Sequence, residues 1–328
     1  MRPAVGVTGL VLAAAVPVAQ AQVLRVAELN TERIRALDRA KTAVILTGGI
    51  LEQHGPYLPS YTDGYFSERL AGDLAESIAA RPGWTALLFP AIPLGYGGAN
   101  EIGRKYSFPG SYNVRAGTLR AVYMDLADAL GEQGFRWVFV VDNHGAPRHN
   151  AALDDAGDYF HDVHGGRMVH LFGLMEVRAC CGEPKRKLLG EDGMKEDGFT
   201  VHAGAREHAA VMFLRPDLVA SGVAGAPAVT GASFADLVRL AGAPQWAGYF
   251  GSPRLGSAAL GAQSLALYRE LLVSLAARVL DGWDPAAERR YAAAMGADSA
   301  YVELDHALEA EERRRAERQR DWLARRQH

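Results

Sequence analysis

The stretch GGILEQHGPYLPSYTDG, residues 48–64, follows a short apolar run at residues 43–46 that predicts a buried strand. It contains three side chains of the kinds that bind metals, namely Glu52, His54 and Asp63. In an extended segment, residues two apart point to the same side, so Glu52 and His54 can face one point. The glycine and prolines that follow turn the chain, which would bring Asp63 back towards the same place.

A carboxylate, an imidazole and a second carboxylate at the end of a strand form a plausible site for a divalent metal ion. The alternative is that the two acidic residues are solvated in a loop and that the histidine has a local hydrogen-bond partner. The rest of the chain has to distinguish these two interpretations.

The composition is that of a globular protein with a sizeable core. The chain has 328 residues, of which 49% are hydrophobic and 22% are charged. This length allows one large α/β domain or two small ones. A formal net charge of −3 gives no reason to expect a nucleic acid as partner.

The first 21 residues have the features of a secretory signal peptide. Arg2 precedes an apolar run at residues 5–18, and Ala-Gln-Ala at residues 19–21 is a cleavage motif. A membrane anchor is the weaker interpretation, because the run is shorter than the roughly 20 residues that span a bilayer. We expect an exported protein, periplasmic or secreted, with no membrane span after the signal is removed.

The two cysteines, Cys180 and Cys181, are adjacent. A disulfide between neighbours closes a strained ring and no long loop. A vicinal disulfide and a pair of free thiols both stay open. Without a CxxC spacing, a structural zinc site is not indicated.

Strand and helix patterns alternate along the chain and predict an α/β fold. Strands are predicted at residues 43–46, 85–92, 136–141 and 167–172, and helices at 26–40, 66–80, 114–131, 150–163, 207–213 and 258–280. This order predicts a single-domain three-layer sandwich, with a mostly parallel sheet and helices on both of its faces. Residues 176–197 are predicted to be a loop or an insertion.

We expect the domain to span residues 22–285, followed by a charged, helical C-terminal tail at residues 286–328. Acidic residues offset the arginines of the tail, which favours a solvated helix or a frayed end over a nucleic-acid arm.

Two further polar clusters fall at element ends. Asp142, Asn143 and His144 directly follow the predicted strand at residues 136–141, and ligands bind at such carboxyl ends in open α/β sheets. His202 and Glu207 lie at the start of a predicted helix. The acidic residue there has a second interpretation, as a simple charge in the first turn of a helix.

Four blocks together resemble the creatininase (creatinine amidohydrolase) family. They are LEQHGPYLPSYTD, a Gly-rich loop leading to FPGS, NHG, and HAGAREH, and they fall in the family's order between about residues 40 and 265. The resemblance implies a creatininase-like fold, a homo-oligomer that is a hexamer in the family, and two divalent metal ions per subunit. Zinc, manganese or both are expected, and iron is also compatible.

The resemblance also implies a role for each matching residue. Asp63 would bridge the two ions, Glu52 and His144 would complete one site, and His54 and Glu207 would complete the other. His202 matches the family's catalytic histidine. The two ions would activate a shared water as hydroxide, which attacks the amide carbon, and His202 would protonate the departing nitrogen.

The residues around these ligands suggest further roles. Asp142 and Asn143 are candidates to orient His144. Arg148 and His149 are candidates either to contact the substrate or to cap the helix that starts beside them.

Departures from creatininase itself limit the expected substrate. Ala146 stands where that enzyme has an additional glutamate, and Gly198 stands where a substrate-covering tryptophan would be expected. We therefore expect metal-dependent hydrolysis of a C–N bond in a small-molecule amide or cyclic amide, with creatinine itself disfavoured as the substrate. The alternatives are a peptidase, since the family includes peptidases, and a non-catalytic exported protein that only binds metal. The absence of GxSxG argues against a serine hydrolase.

Overall fold

The computed structural model describes residues 22–179 and 182–326 of the chain. The predicted signal peptide, residues 1–21, and the cysteines Cys180 and Cys181 lie outside the described residues. Within the described ranges, no helix combines the length and the apolar composition that crossing a membrane requires.

A parallel sheet forms the middle layer of the fold. Its strands are β1 (Gln22–Arg25), β2 (Thr42–Thr47), β3 (Thr85–Leu88), β4 (Trp137–Val141) and β5 (Arg167–His170). They are arranged in the order β1-β3-β2-β4-β5, and each neighbouring pair is parallel. Parallel strands require crossover connections, and helices between the strands supply most of them.

The helices of the described residues are α1 (Thr31–Arg35), α2 (Thr62–Ala79), α3 (Ala116–Glu132), α4 (Pro147–His164), α5 (Met175–Ala179), α6 (Gly182–Asp197), α7 (Ala205–Leu214), α8 (Phe234–Gly242), α9 (Ala258–Leu280), α10 (Tyr291–Met295) and α11 (Ser299–Ala324). Helices α2 and α9 pack on one face of the sheet, and α3 and α4 pack on the other.

The alternation of residues along the central strands explains these three layers. In β2, Ala43 and Ile45 point into the core beneath α2 and α9, whereas Val44 and Leu46 point into the core beneath α3 and α4. All four are fully buried, as expected for a strand covered on both faces. The predicted α/β fold with a mostly parallel sheet is therefore confirmed.

The order of the strands places an opening at the carboxyl ends of β2 and β4. From β2 the chain first moves to β3 on one side and then returns to β4 on the other. Such a reversal leaves a crevice in which ligands bind. The two strand ends approach so closely that a Cβ added at Gly48 would lie 2.2 Å from Asp142 Oδ2, which explains the need for glycine there.

The predicted helix at residues 26–40 is wrong. The chain enters through the edge strand β1, makes one 3₁₀ turn at Val26–Glu28, and forms only the five-residue helix α1. The side chain of Asn30 accepts a hydrogen bond from the backbone N–H of Arg33 and so starts a new helix in the middle of the predicted one.

The predicted loop at residues 176–197 is also wrong, because α5 and α6 occupy its described residues. Gly190, with φ of +63°, kinks α6. The segment is anchored by an ion pair between Lys185 and Asp197, both of which are buried. The many charges and glycines of this segment are typical of a loop, but here they lie on a surface helix.

The C-terminal tail contains a long helix, as expected, but this helix is packed against the protein on one side and is not simply solvated. Helix α11 buries Tyr301, Leu304 and Leu308 in a small core with Phe234 of α8. The opposite side of the helix carries the charges that dominated the composition.

Candidate metal centre and active site

The three polar side chains of residues 48–64 lie in two kinds of structure. Glu52 and His54 lie in the irregular chain that follows β2. Asp63 does not lie in a returning loop, because α2 begins at Thr62 and Asp63 belongs to its first turn. All three residues are buried, with at most 3% of the surface of each exposed.

The other candidate ligands come from distant parts of the chain. His144 lies just beyond the carboxyl end of β4, and Glu207 lies in the first turn of α7. The first turn of a helix carries a partial positive charge, which favours the carboxylates of Asp63 and Glu207. Both His144 and Glu207 are buried.

One group of ligand atoms forms around His144. Its Nδ1 lies 3.0 Å from Glu52 Oε2 and 3.1 Å from Asp63 Oδ2. Its Nε2 lies 3.0 Å from the backbone oxygen of Tyr96, to which an Nε2–H group donates. The imidazole therefore directs Nδ1 towards two carboxylates.

A second group forms around His54. Its Nε2 lies 3.9 Å from Asp63 Oδ1 and 3.8 Å from Glu207 Oε2. Its Nδ1 lies 2.9 Å from the backbone oxygen of Glu52, so the Nδ1–H group donates there and Nε2 keeps its lone pair. This buried Nε2 has no hydrogen-bond partner among the described residues.

The group around His144 fits a divalent cation, because Glu52, Asp63 and His144 bring ligand atoms within 4.8 Å of one another. The group around His54 is more open. Two atoms that each bind one zinc-sized ion at about 2.1 Å are at most about 4.2 Å apart, and His54 Nε2 lies within that limit of each carboxylate, but Asp63 and Glu207 do not come within 4.8 Å of one another around it in the described residues. In each group a histidine nitrogen faces carboxylate oxygens, and either a proton or a metal cation between them satisfies both. Asp63 contributes Oδ2 to one group and Oδ1 to the other, which is the arrangement of a bridging carboxylate.

His202 lies against both groups. Its Nε2 is 2.7 Å from the backbone oxygen of Gln53, and its Nδ1 is 3.4 Å from Glu52 Oε1. The Nε2–H group donates to that carbonyl, so Nδ1 faces the cavity of the site. Glu52, His54 and His202 also bring ligand atoms within 4.8 Å of one another, so the geometry allows His202 to be a ligand as well as an acid or base.

The pKa values of the site reflect a competition between burial and charge. Burial alone would raise the pKa of Glu52, but His202 and His144 outweigh it and the pKa lies below its usual value. Burial alone would lower the pKa of His144, but Glu52 and Asp63 raise it well above its usual value. For His202 burial prevails and lowers the pKa, because the attraction of Glu52 offsets it only in part. Protons and metal ions therefore compete for His144.

Asp142, Asn143 and His149 form hydrogen bonds around the candidate ligands. Asp142 accepts the backbone N–H of His144 through Oδ1, at 3.1 Å, and faces His149 Nε2 through Oδ2, at 3.0 Å. His149 Nδ1 accepts the backbone N–H of Tyr96 at 3.2 Å, and its ring has no exposed surface. The Nδ2 of Asn143 is 3.5 Å from Asp63 Oδ1. These contacts hold the loop that carries His144.

Neither Arg148 nor His149 caps the helix at whose start it lies. The N-cap residue of α4 is Ala146, and no side chain caps that end. Arg148 instead forms ion pairs with Asp305 and with Glu309 of α11, the second at 3.6 Å. Its guanidinium group fastens the C-terminal helix to the body of the protein.

Sequence reasoning missed Arg178, which holds the loop of His144. Its guanidinium group donates to the backbone oxygens of Asn143, at 3.2 Å, and of His144, at 2.8 Å, and to Asn150 Oδ1 at 3.0 Å. Arg178 lies in a segment that had been interpreted as a loop, and no local pattern indicates these distant contacts.

Sequence reasoning also missed the C-terminal residues at the site. A cavity of about 260 Å³ opens onto the candidate ligands, and α10 and α11 form part of its lining. The signal was present in the sequence, since Tyr301, Leu304 and Leu308 have the spacing of one helix face within an otherwise charged segment.

Two curated relatives match parts of the chain, and both are named mycofactocin precursor peptide peptidase. The protein of Mycolicibacterium smegmatis (strain ATCC 700084 / mc(2)155) is 29% identical over 112 residues, or 34% of this chain and 43% of its own length. The protein of Mycobacterium ulcerans (strain Agy99) is 26% identical over 201 residues, or 58% of this chain and 66% of its own length. The matches thus span less than two thirds of these relatives.

Solved creatininases share the fold. A structure of creatinine amidohydrolase is 20% identical, has a TM-score of 0.60, and is matched over 79% of this chain and 99% of its own. A creatininase described as a Mn form and a variant described as Zn–Zn type both have TM-scores of 0.59, with identities of 20% and 19%. They are matched over 79% and 78% of this chain and over 99% and 98% of their own chains.

The creatininase family model, described as creatinine amidohydrolase, matches residues 27–276, which include every candidate ligand and His202. The resemblance seen in the sequence blocks is thereby confirmed over most of the chain, and this protein belongs to the creatininase family.

Proposed function

We propose that this chain is a metal-dependent hydrolase that cleaves the C–N bond of a small amide. The observation that carries the proposal is the convergence of three buried carboxylates and three imidazoles at the switch point of the sheet. Such a set of donors suits zinc or manganese. The solved creatininases described as Mn and Zn–Zn forms support that choice.

Two divalent ions bound there would activate a water molecule at neutral pH and polarise the amide carbonyl. Glu52, Asp63 and His144 would hold one ion, and His54, Asp63 and Glu207 would hold the other. The backbone oxygens of Tyr96 and Glu52 keep the two imidazoles oriented by accepting their other N–H groups.

His202 would transfer the proton of the reaction. With its lowered pKa it is neutral at pH 7, and its Nδ1 can accept a proton from the attacking water. The same nitrogen then delivers that proton to the amide nitrogen as the C–N bond breaks. The hydrogen bond from Nε2 to the oxygen of Gln53 keeps the ring in position for both transfers.

A peptide is the second candidate substrate. Both curated relatives carry the name of a peptide peptidase, and the chemistry of cleaving a peptide bond is the same. Apolar residues of the C-terminal helices line the cavity, which suits an amino-acid side chain better than a small polar ring.

The test is hydrolysis of a panel of creatinine, simple acyl amides and blocked dipeptides by the metal-loaded protein. Each reaction is repeated after chelation and after Zn²⁺ or Mn²⁺ is restored. We expect metal-dependent release of amine from at least one class of amide. His202→Ala should lower kcat by about 10² to 10⁴.

The exposed His306→Ala provides the matched control, and metal content is measured for both variants. An unchanged metal content in His202→Ala assigns His202 to proton transfer, and a fall assigns it to metal binding. Metal-loaded wild type that hydrolyses no amide would contradict the proposal and leave a metal-binding protein on an enzyme fold.

A further inference from the structure

The cavity at the site has two walls of opposite character. One wall carries the candidate ligands and His202. The other is contributed by the C-terminal segment and is made of large apolar and aromatic side chains, namely Tyr291, Met295, Tyr301, Leu304 and Leu308. A pocket with a polar reactive wall and an apolar wall orients a substrate that has both kinds of surface.

The apolar wall continues to the mouth of the cavity. Phe199 and Val201, which also line it, are 42% and 37% exposed, although they are large apolar residues. Inside, Leu304 and Leu308 are only 3% and 8% exposed. Apolar residues left open to solvent beside a buried apolar surface are typical of a site that binds an apolar group.

The wall is fixed in place by contacts along its length. Asp298 caps α11 by accepting the N–H groups of Ala300 and Tyr301, at 2.9 and 3.1 Å. Further along the helix, Arg148 of α4 pairs with Asp305, and Arg315 donates to the backbone oxygen of Tyr106 at 2.8 Å. Rigid placement is what a selective subsite requires.

The start of the segment is tied to the loop that holds the ligands. Arg290 bonds to Asp154 of α4 at 2.9 Å. The guanidinium carbon of Arg178 lies 4.9 Å from the centre of the Tyr291 ring, while its nitrogens hold the loop of His144. Tyr291 is therefore placed by the same side chain that places the ligand loop.

The match to the family model ends at residue 276, before α10 and α11 begin. The ligands, Phe199 and Val201 thus lie within the matched region, whereas the part of the apolar wall that α10 and α11 form lies beyond it. Part of the shape of the pocket therefore comes from a segment outside the region that carries the chemistry.

We infer that α10 and α11 form a specificity subsite that binds an aliphatic or aromatic group next to the amide being cleaved. The inference rests on the proposed hydrolase function and names the class of its substrate. A volume of about 260 Å³ is below the roughly 300–1,000 Å³ of pockets for larger ligands, so one side chain and the adjoining amide would fill it. The carbonyl end of the substrate faces the ligands and His202, and its apolar group faces Leu304 and Leu308.

The test compares blocked dipeptides that carry Gly, Leu or Phe on either side of the bond. We expect the wild type to prefer Leu or Phe to Gly, on one of the two sides, by about tenfold or more in kcat/KM. Leu308→Ala should reduce this preference several-fold. Met295→Ala, at a half-buried position, does the same with less risk to folding. The matched control is Leu323→Ala on the same helix, where the leucine is 55% exposed and does not line the cavity.

A second readout does not depend on turnover. Calorimetric titration of metal-loaded His202→Ala with N-acetyl-leucinamide and N-acetyl-glycinamide measures the two Kd values. The leucine compound should bind about tenfold more tightly or better, and Leu308→Ala in the same background should remove most of that difference.

The outcomes separate this inference from the proposed function. Hydrolysis without a preference for apolar groups, or an equal loss of preference in Leu323→Ala, overturns the subsite and leaves the hydrolase standing. If no amide is hydrolysed, the hydrolase fails, and the titration alone decides the subsite. Equal Kd values for the two compounds overturn it, and tighter binding that depends on Leu308 supports it.

Discussion

His149 shows how a buried residue behind a metal site can be as constrained as a ligand. It bridges Asp142 and the backbone of Tyr96, and Asp142 in turn holds the backbone of His144. The pKa of Asp142 stays below its usual value despite burial, because His149 is beside it. Without the imidazole, a fully buried carboxylate would lose its main partner.

Burial lowers the pKa of His149, so its neutral imidazole donates to the carboxylate of Asp142 at pH 7. We expect His149→Leu to lower the free energy of unfolding by about 1.5 to 3 kcal/mol, because the buried carboxylate loses that hydrogen bond and keeps the one from the backbone N–H of His144. Urea denaturation at pH 7 with chelator present measures this without a contribution from metal binding. His306→Leu, at an exposed position, is the matched control and should change stability little. A loss below 1 kcal/mol for His149→Leu would show that Asp142 finds another partner.

At the scale of residues, the sequence predicts which side chains converge but not how they are held. Glu52, His54 and His144 follow strands whose carboxyl ends must meet, so their proximity follows from the fold. The partner of Arg148 lies 157 residues away on α11, and no local pattern indicates it. The interpretation of Arg148 as a cap or a substrate contact used only its neighbours in the chain.

At the scale of elements, several of the candidate ligands lie at or near the first turns of helices. Asp63 and Glu207 lie in the first turns of α2 and α7, and His144 precedes α4 by a few residues. Helices α2 and α4 pack on the sheet through apolar faces, and α7 packs on α2 and α9, so each helix start is fixed relative to the strands. The same periodicity made these helices predictable, with boundaries within about four residues of those observed.

The elements that were predicted wrongly lack that periodicity. Helix α6 carries charges and glycines around most of its surface, and α1 is five residues long with no buried residue. Both depend on tertiary contacts or on a cap, such as the Lys185–Asp197 pair and Asn30. Helix α11 does have an apolar face, but the many charged residues around it made that face hard to recognise in the sequence.

Helix α11 should loosen when Arg148 is removed. Bidentate pairing between Arg148 and Asp305 is partly shielded from solvent, and losing it should cost about 1.5 kcal/mol, or about tenfold in the population of the opened helix. Limited trypsin digestion reports this, because the helix carries the exposed arginines Arg313 and Arg314.

Cleavage in this region should therefore be about tenfold faster in Arg148→Ala than in the wild type. Arg69→Ala is the control, since Arg69 pairs with Asp73 within α2 and does not contact α11. Equal cleavage rates in the wild type and Arg148→Ala would show that the apolar contacts alone hold the helix.

At the scale of the whole molecule, the site exists only when the sheet is assembled. Its ligands come from residues 52–63, from residue 144 and from residue 207, which meet because β2 and β4 are neighbours at the switch point. The unfolded chain has no such arrangement, so metal binding and folding are coupled. Export and hexamer formation stay predictions from the first residues and from the family resemblance.

Metal content per chain, by elemental analysis of wild type, Asp63→Asn and Asp73→Asn, tests the central claim most directly. Asp63 faces both groups of ligand atoms, whereas Asp73 lies on the same helix and pairs with Arg69. We predict about two ions per chain in the wild type and in Asp73→Asn, and one or none in Asp63→Asn. A wild type that retains no Zn²⁺ or Mn²⁺ when offered either, or an Asp63→Asn protein that keeps two ions, would contradict the dinuclear centre.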